Sequence, residues 1–447
     1  MRYFKDTYFI VFGILFVYLF FNLPLYFQAY IWKVPIIRLQ MVEFASWAHL
    51  LVYIFILFFV TKVYLWVDKS IIKAYILWLS YSLIANIALI RFSYHPAYYF
   101  YLLFTILPYY FLFLMLLIGW DELNRLKLQG FADKIVTLLG KSYVLIFIFA
   151  VFQFIFKEDF LSLNTSDKTL QVSSELLGLF RPRSIFNSSF EFGLFSILVF
   201  SLFSSRIVLC RSQSNWVDWM HTILSAFGVF ISFTRNIYLI WVMALIALFL
   251  LQNKKIGSRV LKLIPHVFMI FSSLLLIILA FQALSGLVLS DLFSNESTYV
   301  RFTLLYALVE GLVLNSNLID ILFGWGLIQH AGDSTLIGIF PDIYNSEDGT
   351  LGIDNLFFAL FLYQGLIGLS SFLYLYQKIW NNLCSISRTS NSSLALGAAV
   401  FFSTFLGAGV FNLIHYGIFG YLAWFFAFLV LAIYSPLTNP KGIEPSS

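Results

Sequence analysis

Charge is what this chain has least of: Asp, Glu, Lys and Arg make up 11% of its 447 residues, against about 25% in an ordinary soluble domain. With 61% of residues hydrophobic, the deficit excludes a water-soluble globular protein. Cysteine is nearly absent, and Cys210 and Cys384 both fall in or beside loops on the side read below as cytoplasmic. That excludes a disulfide framework, and their spacing fits no metal site. The N-terminal MRYFKD runs into an aromatic-rich apolar block with no small-residue cleavage site, so the first span is expected to stay as an anchor. No internal repeat stands out, which weighs against the repeat-built transporter folds. A basic domain or arm is also missing: the net charge of +5 is scattered over short loops, which excludes nucleic acid as a partner and marks topology instead.

What is present is a series of apolar runs of eighteen residues or more, long enough to cross a hydrocarbon layer of about 30 Å as helix. The runs predict an all-α polytopic membrane protein, one membrane domain over 1–447. Twelve spans can be drawn, at 7–29, 43–65, 71–91, 97–119, 139–157, 188–209, 217–234, 236–253, 263–289, 353–376, 393–411 and 415–435. The pair 217–234 and 236–253 is parted only by Arg235, so the chain either turns sharply there or dips partway and returns. Placing both termini in the cytoplasm puts 18 of the 27 Lys and Arg residues inside, which is the orientation the positive-inside rule selects. Two outer loops result, 157–187 and 290–352. The longer includes TYVRFTLLYALVEGLVL (298–314), read as an interfacial helix, and then irregular chain rich in Gly and Asp. A loop of this length in a compact membrane protein points to function.

No Asp, Glu, Lys or Arg stands near the middle of any drawn span, and such charges cost at least about 2.5–3.5 kcal/mol at the bilayer centre. An ion-coupled transport path, which needs them, is disfavoured. The outer membrane edge instead receives Arg181, Arg183, Glu191, Arg235, Arg301 and Asp354 from separate stretches of sequence. Each alone reads equally well as a boundary residue that snorkels to water or pairs in a salt bridge. The four arginines as a set point to an anion site, because guanidinium forks match phosphate oxygens and outer arginines run against the topology preference. An anion at that depth suggests a lipid-linked phosphate or pyrophosphate. For Asp342, Glu347 and Asp348 a solvated loop is a better reading than a metal or sugar site, since the alternating ligands of a calcium loop are missing.

Four features resemble the Wzy-type O-antigen polymerases and their relatives, the O-antigen ligases. They are RPRSIFNSSFEFG (181–193), SFTRNIYLIW (232–241), an outer segment with Arg301 followed by LFGWGL, and GIDNLFFALFLYQGLIGL (352–369). The last is the most specific, with Asp354-Asn355 followed after nine residues by Gly365-Leu-Ile-Gly368. The ligases usually carry His-Asn where this chain has Asp-Asn, and the difference favours polymerase.

The resemblance implies a metal-independent, cofactor-free glycosyltransferase of the bacterial inner membrane, acting at the periplasmic face on undecaprenyl-pyrophosphate-linked oligosaccharides. A chain-length regulator protein would be a partner. A growing glycan moves to the nonreducing-end hydroxyl of a new lipid-linked repeat unit, and the lipid pyrophosphate departs. Arg181, Arg183, Arg235 and Arg301 would hold the pyrophosphate. Asp354, with Glu191 behind it, would take the hydroxyl proton. Asp354-Asn355 reads equally as an N-cap for the span that follows. Asn187, Asn355, His330, His415 and Trp325 are the substrate-binding candidates, the histidines standing behind the carboxylates as bases. An O-antigen ligase or a capsule polymerase is the alternative enzyme, and a flippase for the same lipid-linked unit is the alternative from another class.

Overall fold

The computed structural model describes residues 69–87, 122–158, 180–186, 188–209, 215–285, 318–324, 355–411 and 418–434. Among them every regular element is a helix: α1 Lys69–Ile87, α2 Glu122–Phe156, α3 Ser189–Leu209, α4 Trp216–Ile231, α5 Arg235–Gln252, α6 Ser258–Ser285, α7 Leu318–Phe323, α8 Leu356–Thr389, α9 Ser393–Gly409 and α10 Ile418–Tyr434. By length and composition, stretches of four of these can cross a membrane: Arg125–Phe156, Ser189–Leu209, Arg235–Gln252 and Ser258–Leu275. Trp216–Ile231, Ser393–Gly409 and Leu422–Tyr434 are apolar but shorter. The chain is therefore an all-α membrane protein over its described part. The expected spans 7–29, 43–65 and 97–119, the interfacial helix 298–314, and most of both outer loops lie outside the described residues.

Helix α9 is the centre of the bundle. Its sequence, SLALGAAVFFSTFLGAG, alternates small and large apolar residues, and Leu394–Gly409 is buried throughout. It packs against α3, α5, α6, α8 and α10. Small residues let helices approach at backbone distance, which replaces the hydrophobic driving force that lipid does not supply. At Gly397 a Cβ would stand 2.9 Å from both the Ser201 carbonyl oxygen and the Leu202 Cα, so α3 touches α9 there main chain to main chain. Helix α3 is the second buried element. Its serines Ser196, Ser201 and Ser205 turn their hydroxyls back onto carbonyls four residues earlier and so need no partner from lipid.

The outer helices show the complementary pattern. On α4, Trp216, Trp219, Ile223, Phe227 and Phe230 are exposed at helical spacing, while His221, Ser225, Gly228 and Val229 face inward. Tyr143 of α2 fits against Gly228 and donates to Ser196 Oγ at 2.9 Å, tying α2, α3 and α4 together. At the far end of the same junction Arg206 pairs with Asp133 and Asp218, at 3.8 and 3.6 Å.

Two helices are longer than hydropathy suggests. The span drawn at 139–157 begins at Glu122, and that drawn at 353–376 runs to Thr389. In both extensions charges end the apolar window, but an amphipathic stripe continues. Leu128, Phe131, Ala132 and Val136 are buried on α2, and Ile379, Trp380, Leu383 and Cys384 on α8.

Helix breaks are answered by side chains from elsewhere in the bundle. Pro265 sits inside α6 and has no N–H to give the Leu261 carbonyl. Trp380 Nε1 of α8 donates to that oxygen instead, at 3.0 Å. Helix α8 kinks at Gly365, whose φ of 64° is a left-handed conformation. The Tyr81 hydroxyl of α1 donates to Gln364 O beside it at 2.7 Å. A Cβ on Gly365 would collide with the Leu322 carbonyl at the end of α7, so the first glycine of the G-L-I-G motif serves close approach as well as conformation.

Replacing Trp380 by Phe keeps the ring but strands the Leu261 oxygen, an expected loss of about 1–3 kcal/mol. Gly397→Val is expected to cost at least as much, because the atoms in its way are backbone. Thermal unfolding of both variants in detergent micelles measures the effects, with Leu245→Ala on a more exposed face as the comparison that leaves the midpoint within a few degrees.

Candidate functional site

The residues before α3 form a compact irregular turn. Phe186 N–H donates to Arg183 O at 3.0 Å, and Ser184 takes a left-handed φ of 54°. Such backbone persists in an apolar surrounding only if its polar groups find partners. Gln153, fully buried on α2, supplies both: its Oε1 accepts from Ser184 N–H at 2.7 Å, and its Nε2 donates to Ser184 O at 3.1 Å. The Ser184 hydroxyl donates to Ile146 O at 2.7 Å. This clamp fixes the pair Arg181 and Arg183 at the mouth of α3, with Phe186 packed on Phe195 at 5.3 Å beneath them.

Helix α3 then opens with Ser188, whose Oγ accepts from Glu191 N–H at 3.2 Å. Ser188-Ser189-Phe190-Glu191 has the S-x-x-E pattern of a capping box, so Glu191 also occupies a helix-start position where its charge suits the helix dipole. Beside it the turn between α4 and α5 reverses at Phe233, φ 46°. The chain turns sharply here, over Ser232–Thr234. The Ser189 and Thr234 hydroxyls share a hydrogen bond of 3.1 Å, and Ile237 fills the space left by Gly193. The starts of α3 and α5 are thereby locked together.

This lock brings Arg181 and Arg235 into one electrostatic environment. The Arg181 pKa is lowered, first by burial and then by the like charge of Arg235, while Tyr238 pulls the other way. The Tyr238 hydroxyl donates to Phe230 O at 2.8 Å, which leaves the lone pairs of its oxygen for a cation. Arg181 Nε is buried and has no hydrogen-bond partner among the described residues. Arg183 is 7% exposed, whereas Arg235 is exposed. Like charges held together at partial burial repel one another, which is why Arg235 depresses the Arg181 pKa.

Asn355 belongs to the same end of the bundle. Gly397, near the start of α9, meets Ser201 and Leu202 in the second half of α3, whereas Gly407, near its end, meets Met243 in the first half of α5, so the end of α9 points to the end of the bundle where α3 and α5 begin. Asn355 N-caps α8, its Oδ1 accepting from Phe358 N–H at 2.9 Å, and its Nδ2 donates to Val410 O at 3.1 Å. The capping alternative thus holds for Asn355, whose amide also ties α8 to the last turn of α9. Asp354, Arg301, Asn187, His330, His415 and Trp325 lie outside the described residues. Among the described residues no group of three or more His, Cys, Asp or Glu side chains could hold a metal ion.

No protein-family model and no curated protein sequence matches the chain. The site is therefore read from its own residues. Sequence reasoning missed Gln153, Tyr238 and the Ser189–Thr234 pair. Gln153 left a signal, being the one polar side chain in the run VLIFIFAVFQFIF. Tyr238, one of 26 tyrosines, left none.

Gln153→Leu leaves two buried backbone groups at Ser184 without partners and is expected to cost about 2–4 kcal/mol locally. Hydrogen–deuterium exchange is the measurement: peptides covering 180–186 should exchange faster in the variant, with those from α9 unchanged.

Proposed function

We propose that this chain is an O-antigen polymerase of the Wzy type: a metal-independent membrane glycosyltransferase with twelve spans, working at the periplasmic face of a bacterial inner membrane. The observation that carries the reading is the meeting of Arg181 and Arg235, 54 positions apart in sequence, with a buried and unsatisfied guanidinium nitrogen on Arg181. In support stand the four motifs, two of which, at 181–193 and 232–241, supply these arginines from adjoining turns.

In this mechanism the bond between the anomeric carbon and the pyrophosphate oxygen breaks, and the acceptor hydroxyl oxygen bonds to that carbon. The hydroxyl proton passes to a carboxylate, Asp354 in first place and Glu191 in second. The electron pair leaves with the undecaprenyl pyrophosphate. Negative charge on the departing oxygen grows towards the transition state, so guanidinium groups already in position stabilise that state more than the ground state. Arg181, Arg183, Arg235 and Arg301 take this role, and the Gln153 clamp removes the cost of ordering the first two as reaction proceeds.

Deletion of the gene followed by size separation of surface lipopolysaccharide distinguishes the possible activities. A polymerase defect leaves core capped by a single repeat unit. Bare core with polymer stranded on lipid identifies a ligase, and repeat units retained on the cytoplasmic side identify a flippase; either overturns the reading. In complementation, Arg181→Ala and Arg235→Ala are each expected to lower polymer formation by roughly 10²-fold or more, the usual effect of removing one group that stabilises developing charge. Arg235→Lys should restore only part, since an ammonium lacks the planar fork. A normal ladder from Asp354→Ala would reject the base assignment while leaving the anion site intact.

A further inference from the structure

At the end of the bundle away from Arg181, cations gather with no carboxylates among them. Lys254 and Lys255 lie on the turn between α5 and α6, Arg259 and Lys262 on the first turns of α6, and Lys378 and Arg388 on the last part of α8. Side chains of α8 draw them onto one surface. Arg388 Nη2 donates to Lys254 O at 2.6 Å, Gln377 Nε2 to Lys262 O at 3.3 Å, and Trp380 Nε1 to Leu261 O at 3.0 Å. Arg388 and Lys262 also act together on the Cys384 thiol.

Segments 253–266 and 374–392 contain no Asp or Glu, and among the described residues none of the six cations pairs with a carboxylate. Arg206 shows the contrast, holding two carboxylates at the junction of α2, α3 and α4. The first turn of α6 has no acidic residue either. Its partial positive charge therefore adds to that of the side chains instead of offsetting it. Like charges gathered on one surface repel one another over a Debye length of about 8–10 Å, and a bound anion relieves that repulsion.

The shape of α6 says which anion. Arg259, Leu263 and Val267 follow at intervals of four, on one face, and that face continues through Ile270, Leu274 and Ile278, all exposed. Cations thus head an unbroken apolar stripe more than three turns long, which is the outline of an amphiphile with a negative headgroup. We propose that this surface binds an anionic phospholipid of the surrounding bilayer, its phosphate among Lys254, Lys255, Arg259 and Arg388 and its acyl chains along the α6 stripe. The site is separate from the arginines at the other end of the bundle and stands whether or not the polymerase reading does.

The test uses the full chain purified in mild detergent and exchanged into nanodiscs of phosphatidylglycerol mixed with phosphatidylcholine. Native mass spectrometry after release counts the retained lipids. The wild type is expected to retain phosphatidylglycerol in preference to phosphatidylcholine by roughly tenfold or more, weakened by high salt. Lys254→Gln/Lys255→Gln/Arg259→Gln, which changes only exposed side chains, should lose most of that preference. Lys127→Gln/Lys134→Gln/Lys141→Gln removes as many charges from α2 and should keep it. Equal retention of the two lipids by the wild type overturns the proposal, and that arm decides alone if the α6 variant does not fold. Equal losses in both triple variants also overturn it, because they would show response to net charge only. Stabilisation reproduced in detergent by inorganic phosphate alone overturns the part assigned to the acyl chains.

Discussion

A backbone carbonyl or N–H left without a partner in a lipid-facing bundle costs several kcal/mol, and the architecture is organised around meeting that demand wherever a helix stops or bends. Pro265 removes a donor from α6 and Trp380 replaces it. Gly365 breaks α8 and Tyr81 answers the Gln364 carbonyl. Ser184 stands in left-handed backbone and Gln153 takes both its polar groups. Asn355 caps one helix and donates to the Val410 carbonyl at the end of another. In the first three cases the partner comes from a different helix, and Asn355 reaches across to one, so local irregularity is stable only within the assembled fold.

The same demand explains where chemistry can sit. Regular helices present side chains and hide backbone, whereas the turn before α3 has its backbone groups taken up from behind by Gln153. Bracing from α2 gives Arg181 and Arg183 a rigid base, and the Ser189–Thr234 hydroxyl pair sets Arg235 beside them. Rigid placement matters more for a site that stabilises developing charge than for one that merely collects anions, since reorganisation cancels the electrostatic gain. The lysines and arginines at the head of α6 are largely exposed and differ in this respect, which suits a mobile lipid headgroup.

Much of this was legible in the sequence. The stretches 188–209, 236–253 and 393–411 coincide with α3, α5 and α9 within two residues at either end, because the cost of burying charge in lipid makes apolar length a direct signal. Helix extensions at 122–138 and 377–389 were hidden because hydropathy reports the solvent, while intrahelical hydrogen bonding continues into water. The arginines stood out in the sequence because charge counting assigns them to the side the positive-inside rule disfavours, but it gave no sign that Arg183 is buried and Arg235 exposed. Asn355 was recognisable as a cap, and its second bond, to Val410, was not. A lone Gln in an apolar run shows that something is braced without showing what, since the partner lies 31 residues further along the chain.

The Tyr81 contact has a consequence for how the protein is made. Its acceptor, Gln364 O, lies 283 residues later in the chain, and Trp78 waits for the Gln364 side chain over 286. At about 5–20 residues per second, ribosomes need on the order of tens of seconds to cover that interval. During it the Tyr81 phenol and the Trp78 indole of α1 are without these native partners. Synthesis of α1 and its docking in the bundle are thus separate events, and this corner of the molecule can close only after α8 has emerged.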